Sequence, residues 1–153
     1  DAWTDPETGT RYENIYVPVW RWRRAMYNDF RCRMDWCVKP PAEANHHPHT
    51  MLNGKEVNAI ARMTAKPGDA ISLDASGSSD PDGDPLAYRW SIYPEAGTYA
   101  GKVAIDMPEA VTTGLTVPMD AAGSQLHVIL EVRDKHPEAS LFDYRRLVID
   151  VEG

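Results

Sequence analysis

The feature that most constrains the fold of this chain is a turn rich in glycine and aspartate, followed directly by a segment in which large apolar residues alternate with other residues. Residues 74–85, DASGSSDPDGDP, are residue types that favour turns, and residues 86–92, LAYRWSI, follow at once. In an extended strand, Trp90 shares one face with Leu86 and Ile92. Because tryptophan is the bulkiest of these side chains, we expect this face to be buried. The stretch therefore predicts a half-buried β-strand.

Other short segments with the same two-residue period predict the remaining strands. The clearest is residues 126–133, LHVILEVR, where every second residue is Leu or Val. Turn signals such as Asn53-Gly54 and Pro67-Gly68 separate the segments. About seven short strands between turns are typical of an immunoglobulin-like β-sandwich. We predict strands at residues 56–63, 70–73, 86–92, 99–105, 114–117, 126–133 and 142–151.

A helical pattern precedes these strands. Pro18 suits the first turn of a helix, and Pro40-Pro41 ends it. We expect the helix to dock on the sandwich through its apolar stripe, so that Trp22 is fully or partly displayed on the other side. The sequence thus predicts an arm, helix and connector over residues 1–50 and a β-sandwich over residues 51–153. The members of the stripe are Trp20, Tyr27, Phe30, Met34 and Cys37.

Two family resemblances rest on these segments. Residues 73–90, LDASGSSDPDGDPLAYRW, resemble polycystic-kidney-disease (PKD) and related immunoglobulin-like repeats, in which the tryptophan packs between two sheets. Residues 28–30 (NDF), 33–39 (RMDWCVK) and 43–46 (EANH), followed by the sandwich, resemble the C-terminal part of bacterial cellulose-binding proteins. Together the resemblances cover most of residues 14–153.

The second resemblance implies a function and a location. It implies a secreted or periplasmic domain that binds a polysaccharide such as cellulose. Proteins of this kind carry a nucleoside-hydrolase-like domain at their N-terminus, which this sequence does not include. The hydrolase chemistry of the family therefore does not carry over to these residues.

Composition and charge exclude some classes of partner. The net charge is −7, which argues against a nucleic-acid backbone as ligand. No apolar run reaches the length of a membrane span, and no signal peptide stands at the start. Because the first residue is Asp1, we expect a mature or excised fragment.

The aspartate-rich turn is a candidate calcium site. Asp80, Asp82 and Asp84 are alternate residues, as at the start of an EF-hand loop, and carboxylate oxygens are the ligands that calcium prefers. The pattern then fails, because the twelfth position is Ser91 rather than Glu. Turn formation by these aspartates is the alternative reading, and any bound calcium would be structural. No other cofactor is expected.

Histidines and cysteines offer weaker metal signals. Residues 46–49, HHPH, hold three histidines, but Pro48 divides them and we favour a loop that packs or forms hydrogen bonds. Cys32 and Cys37 lie five residues apart, a spacing that prevents a bridge within one helix. We expect two buried free thiols; an intermolecular bridge or a metal pair is the other reading.

Exposed aromatic rings are the best candidates for ligand contact, because they stack on the flat faces of sugars. We expect Trp90 to lie in the core and Trp36 to pack between helix and sandwich, whereas Trp3 packs on a partner or contacts ligand. Trp20 is a candidate only if the helix docks through its other face. The candidate sugar-binding residues are Trp20, Trp22, Tyr93 and Tyr99.

Three functions remain open. The first is non-catalytic polysaccharide binding, which requires planar rings rimmed by polar groups. The second is a structural accessory domain that packs on or dimerises a hydrolase-like partner, which would leave an apolar patch uncovered. The third is a carbohydrate-cleaving enzyme, but the sequence contains no GxSxG, P-loop or HExxH motif.

Overall fold

The structure is a computed structural model, and it describes residues 2–5, 8–56 and 59–153. These described residues form one long helix, two short 3-10 helices and eight strands. The long helix is α1 (Val17–Trp36), and the 3-10 helices are Pro41–Glu43 and Pro94–Ala96. The strands are β1 (Ala2–Thr4), β2 (Arg11–Glu13), β3 (Ala61–Ala65), β4 (Ala70–Asp74), β5 (Leu86–Ile92), β6 (Thr112–Thr116), β7 (Gln125–Asp134) and β8 (Phe142–Val151).

Two sheets form an immunoglobulin-like sandwich, which confirms the predicted fold. The larger sheet has the order β3-β8-β7-β5, and the smaller one pairs β4 with β6. All pairs are antiparallel except β3 with β8, which is parallel. Alternate residues of β5 and β7 point inward, as their two-residue period predicts. The sandwich therefore encloses one apolar core.

Trp90 lies at the centre of this core. Its side chain is only 2% exposed, and it belongs to a buried cluster with residues of both sheets, among them Leu73 and Leu130. The indole Nε1 donates a hydrogen bond to the carbonyl oxygen of Ala110 at 2.9 Å. The ring therefore buries its area without leaving its one polar atom unpaired, and the predicted position of Trp90 is confirmed.

Two of the predicted strands differ from the structure. Residues 99–105, all of them described, form no strand and contribute one isolated bridge between Ile105 and Leu115. Gly97 and Gly101 flank Tyr99 and weaken an extended segment there. The strand predicted at residues 56–63 lies instead at β3. Val57 and Asn58 of that prediction lie outside the described residues.

The N-terminal segment is more ordered than the predicted arm. Strands β1 and β2 form an antiparallel hairpin in which Trp3 lies opposite Tyr12. Gly9 occupies the turn with φ +69°, a conformation that glycine adopts without strain. Each strand has three residues, which is too short for a two-residue period to be seen in the sequence.

Helix α1 starts near the predicted position and ends before the predicted stop. Pro18 lies in the first turn, and the helix ends at Trp36, ahead of Pro40-Pro41. In the described part of the chain, neither this helix nor a shorter one has the length and apolarity of a membrane span.

The loop between β7 and β8 connects the sandwich to the helix. The Asp134 carboxylate is fully buried and accepts hydrogen bonds from the backbone N–H groups of His136 and Leu141, both at 3.0 Å. It also accepts one from the Asn45 side-chain amide at 2.9 Å. The network holds residues 135–141 in a fixed shape against which α1 packs.

Candidate functional site

Helix α1 docks through a face that carries both polar and apolar side chains. Trp22 meets the ring of Tyr144 edge-on, with centroids 5.0 Å apart. Asn28 donates a hydrogen bond to the carbonyl oxygen of Ser140 at 2.8 Å. Cys32 is buried against the β7–β8 loop. The helix therefore covers part of the outer face of the larger sheet and the loop beside it.

This docking face is opposite to the predicted one. Tyr27, Phe30 and Met34 of the predicted stripe are exposed to solvent. Trp22, predicted to be displayed or partly so on the side away from the sandwich, is half-buried and contacts Tyr144 of the sandwich. The contacts on this side are the Trp22–Tyr144 ring contact, the hydrogen bond from Asn28 to the β7–β8 loop and an ion pair between Arg21 and Glu95. The apolar stripe was therefore wrongly predicted to be the side of α1 that packs on the sandwich.

An aromatic stack joins the hairpin to the helix. The rings of Trp3 and Tyr12 lie 5.8 Å apart at an interplanar angle of 22°. Tyr12 continues the stack onto Trp20, at 5.9 Å and 25°. The Arg23 guanidinium lies 5.2 Å from the centre of the Trp20 ring, within the range of a cation–π contact. Three rings from three elements are thereby held in one orientation.

A cleft of about 470 Å³ lies beside this stack, enclosed by the hairpin, α1 and the larger sheet. Aromatic rings form part of its wall, and arginine, amide and carboxylate groups stand among them. This size is within the range of small-ligand sites. The lining includes Trp3, Trp20, Tyr27, Phe142, Tyr144, Asp5, Arg24, Asn28, Arg89 and Glu131.

A second cleft of about 380 Å³ adjoins the first. Trp22 and Tyr93 are among its lining residues, together with Ser91 and Glu95. The two clefts have four lining residues in common, so one ligand that follows the surface meets both. The shared residues are Trp3, Arg21, Arg89 and Glu131.

Residues 70–151 match the sequence model of a known protein family. It is the family described as cellulose-binding protein Sde0182, C-terminal domain. The chain belongs to this family. The match covers β4 to β8, so the stacked rings of the hairpin and helix lie outside the matched residues of the Sde0182 C-terminal family.

A solved structure extends the similarity. It is that of a nucleoside hydrolase-related hypothetical protein from Saccharophagus degradans that is associated with carbohydrate metabolism, with a TM-score of 0.84 and 43% sequence identity. The similarity covers 86% of this chain and 32% of that chain, so this chain spans about a third of that protein.

A second solved structure is much less similar. It is a chimeric titin Z1Z2 functionalized with a KLER exogenous peptide from decorin, at a TM-score of 0.34 and 15% identity over 71% of this chain and 99% of that one. No curated protein matches the chain.

Charged and hydroxyl groups form the floor of the first cleft. Arg89, Glu131 and Tyr144 lie in one row across β5, β7 and β8. Burial raises the pKa of the Tyr144 phenol, and the nearby Glu131 carboxylate raises it further. Tyr144 therefore keeps its proton and acts as a neutral hydroxyl donor at physiological pH.

Arg21 and Glu95 form an ion pair at the edge of the second cleft. The Arg21 Nη2 atom lies 2.5 Å from the Glu95 Oε1 atom, and hydrogen bonding to Arg21 lowers the pKa of the Glu95 carboxyl. The same guanidinium lies 5.3 Å from the centre of the Tyr93 ring, and Arg146 lies 5.9 Å from it. Tyr93 is therefore partly covered by two cations.

The structure separates the four predicted sugar-binding residues. Trp20 lines the first cleft, and Trp22 and Tyr93 line the second. Tyr99 lies apart from both clefts, and its hydroxyl donates a hydrogen bond to Asp120 at 2.6 Å. Contact with sugar by any of the four stays a prediction.

Several cleft residues were not among the sequence candidates. Phe142 and Tyr144 are two positions apart at the start of β8, so both lie on its outer face. Their rings are stacked, with centroids 6.3 Å apart. Tyr12, which supports the stack but lines neither cleft, was also missed, because its partner rings come from other elements. A signal existed only for Phe142 and Tyr144, as two aromatic rings on one face of a predicted strand.

The aspartate-rich turn is held by hydrogen bonds within the turn and by one from the connector. Asp80 Oδ1 accepts bonds from the backbone N–H groups of Asp82 and Asp84 at 2.9 and 3.1 Å. The Asp82 carboxylate accepts a bond from the backbone N–H of His46 at 2.7 Å. Over residues 2–5, 8–56 and 59–153, no three His, Cys, Asp or Glu side chains are grouped as metal ligands. Structural calcium at Asp80, Asp82 and Asp84 stays a prediction.

Histidines of the connector make packing contacts. His47 bonds Asp29 of the helix at 2.8 Å and the carbonyl oxygen of Phe142 at 3.0 Å. His46 stacks on Trp36, whose Nε1 atom donates to the Asn45 carbonyl at 2.7 Å. The connector thereby fastens the C-terminal half of α1. Trp36 also packs on the cluster of Cys32, Ala139 and Leu141, where the helix meets the β7–β8 loop of the sandwich, as expected.

Both cysteines are free, but their environments differ. Cys32 is buried, and burial raises the pKa of its thiol. Cys37 is exposed, which contradicts the expectation of two buried thiols. It directly follows Trp36, the last residue of α1.

Proposed function

We propose that this domain binds cellulose or a related polysaccharide without cleaving it, and that the first cleft is the binding site. The observation that carries the proposal is the cleft in which Trp3 and Trp20, fixed by their stack with Tyr12, stand beside polar side chains. The family description names a cellulose-binding protein, and this agrees with the chemistry of the cleft.

The cleft has both kinds of contact that a sugar needs. Indole and phenol rings give apolar surface for the C–H groups of a pyranose face. Asn28, Arg24 and Glu131 give donors and acceptors for hydroxyl groups. Both kinds of group are present on one wall, so a sugar ring is oriented as well as held.

Rigid presentation of the rings favours binding. Trp3 and Trp20 each stack on Tyr12 before any ligand arrives, so little side-chain freedom remains to be lost on binding. The net charge of −7 disfavours polyanionic ligands and is compatible with a neutral glucan. Because insoluble polysaccharides lie outside the cell, the proposal implies a secreted or periplasmic protein.

Depletion binding to insoluble cellulose tests the proposal. Loss of one stacked ring costs about 1.5 kcal/mol, which weakens binding about tenfold. We therefore expect Trp20→Ala to bind about tenfold more weakly than the parent. Trp22→Ala and Tyr93→Ala in the same assay report on the second cleft.

Two tyrosines of the helix region form a matched control. Tyr27 lines the cleft, whereas Tyr16 is exposed outside it. Tyr27→Ala should weaken binding and Tyr16→Ala should not. The proposed site is wrong if Trp20→Ala and Tyr27→Ala bind like the parent, and the proposed function is wrong if the parent itself fails to bind. Release of soluble sugar by the parent would contradict a non-catalytic role.

A further inference from the structure

The exposed side of α1 carries an apolar surface of which the cellulose-binding proposal uses only Tyr27. At 100° per residue, its members fall on one arc of about 100°. Phe30 near the centre is 61% exposed, and Tyr27 is 72% exposed. We call this surface the apolar helix face. It consists of Tyr16, Val19, Met26, Tyr27, Phe30 and Met34.

This face is large and carries little charge. Within α1, Arg23 is the one charged residue on the arc, and its guanidinium lies over the rings of Trp20 and Tyr12. From the exposed fractions of its six members, the face presents on the order of 700 Å², close to the roughly 800 Å² that each partner gives to a standard protein interface. An apolar surface of this size is typical of a docking site.

We propose that the nucleoside hydrolase-related part of a longer chain docks on the apolar helix face. The family description places this domain at the C-terminus, so the rest of such a protein precedes it. The Saccharophagus chain is about three times longer than its matching region and is described as nucleoside hydrolase-related. It therefore contains a partner of sufficient size.

The path of the chain supports this occupant. The hairpin of β1 and β2 leads into α1, and the stack of Trp3, Tyr12 and Trp20 holds it beside the apolar helix face. A domain that precedes the hairpin is thereby delivered next to this surface. A covalent connection gives an effective concentration in the millimolar range, which favours this partner over a second copy of the chain. The partner surface should be apolar and poor in charged groups.

Hydroxyl-radical footprinting tests this docking. The probe is a chimera in which this chain replaces the matching third of the Saccharophagus protein, compared with the chain alone. In the chimera, oxidation of Met26 and Met34 should fall about threefold or more, because side chains at an interface core lose most of their exposed area. Met107 and Met119, exposed outside α1, are internal controls that should oxidise equally in both proteins.

Matched double variants of the chimera sharpen the test. Met26→Asp with Met34→Asp should raise the oxidation of Phe30 to its level in the chain alone. Met107→Asp with Met119→Asp adds the same charge elsewhere and should leave Phe30 protected.

Three outcomes would overturn the proposal. The first is equal oxidation of Met26 and Met34 in the chimera and the chain alone. The second is continued protection of Phe30 in the Met26→Asp, Met34→Asp variant. The third is a dimer of the chain alone, detected by sedimentation, in which Met26 and Met34 are protected, because this would assign the face to a second copy.

Discussion

Replacing Asp134 by Asn should destabilise the protein and loosen the helix. The carboxylate accepts hydrogen bonds from the backbone N–H groups of His136 and Leu141 and from the Asn45 amide, and it is fully buried. Asn has nearly the same shape, so Asp134→Asn changes the hydrogen bonding without opening a cavity. The effect therefore measures the network itself.

The expected size follows from the geometry. If the new NH₂ group takes the place of Oδ1, it faces the His136 N–H, and one bond is lost. If it takes the place of Oδ2, it faces the donors of both Leu141 and Asn45, and two bonds are lost. The better orientation still loses one bond to a charged acceptor, which is about 2 kcal/mol of unfolding free energy. For a chain of this size the melting temperature should fall by about 4–8 °C.

Urea unfolding followed by tryptophan fluorescence gives the free energy, and hydrogen exchange reports on α1. Because the β7–β8 loop holds Asn28 and Cys32, amides of α1 should exchange faster in Asp134→Asn. Asp120→Asn, at an exposed carboxylate that accepts a bond from Tyr99, is the control and should change stability by less than about 0.5 kcal/mol. The reasoning is refuted if Asp134→Asn is as stable as this control.

Two further predictions concern titratable side chains. Iodoacetamide should modify Cys37 in the native protein and Cys32 only after unfolding, because burial shields Cys32 and raises the pKa of its thiol. Mass spectrometry of the treated native protein shows which cysteine is modified. Modification of Cys32 before unfolding would contradict its burial. The pKa of Glu95 is lowered in the folded state, mainly by hydrogen bonding to Arg21. The ion pair therefore stabilises the fold fully above the ordinary glutamate pKa of about 4.5, and this stabilisation is lost as pH falls through the folded-state pKa. Between pH values of about 6 and about 3 the urea midpoint should fall more in the parent than in Glu95→Gln; equal losses would argue against the ion pair.

The sandwich was predictable because its signals are local. Alternation in residues 86–92 and 126–133 places each side chain on one of two faces, and burial of the larger face follows directly. Trp90 lies where that argument puts it. The prediction failed at residues 99–105, where apolar residues are present but too few backbone bonds form to make a strand.

The candidate site was less predictable because its parts are distant in sequence. Trp3, Trp20 and Tyr144 come from a hairpin, a helix and the last strand. A period of 3.6 residues shows that α1 has an apolar face, but it does not say which surface that face meets. The prediction therefore placed the side of α1 that carries Trp20 against the sandwich, whereas the side that carries Trp22 docks there.

The amino-acid sequence alone determined the class of fold, the long N-terminal helix and the buried tryptophan, because turns, proline stops and hydrophobic periods act over a few residues. Tertiary structure decided which side of α1 the sandwich binds, and with it the position of the clefts and of the uncovered apolar helix face. The physical reason is that docking depends on how two complete surfaces match in charge and shape. The polar outer face of the larger sheet exists only after β5, β7 and β8 have come together.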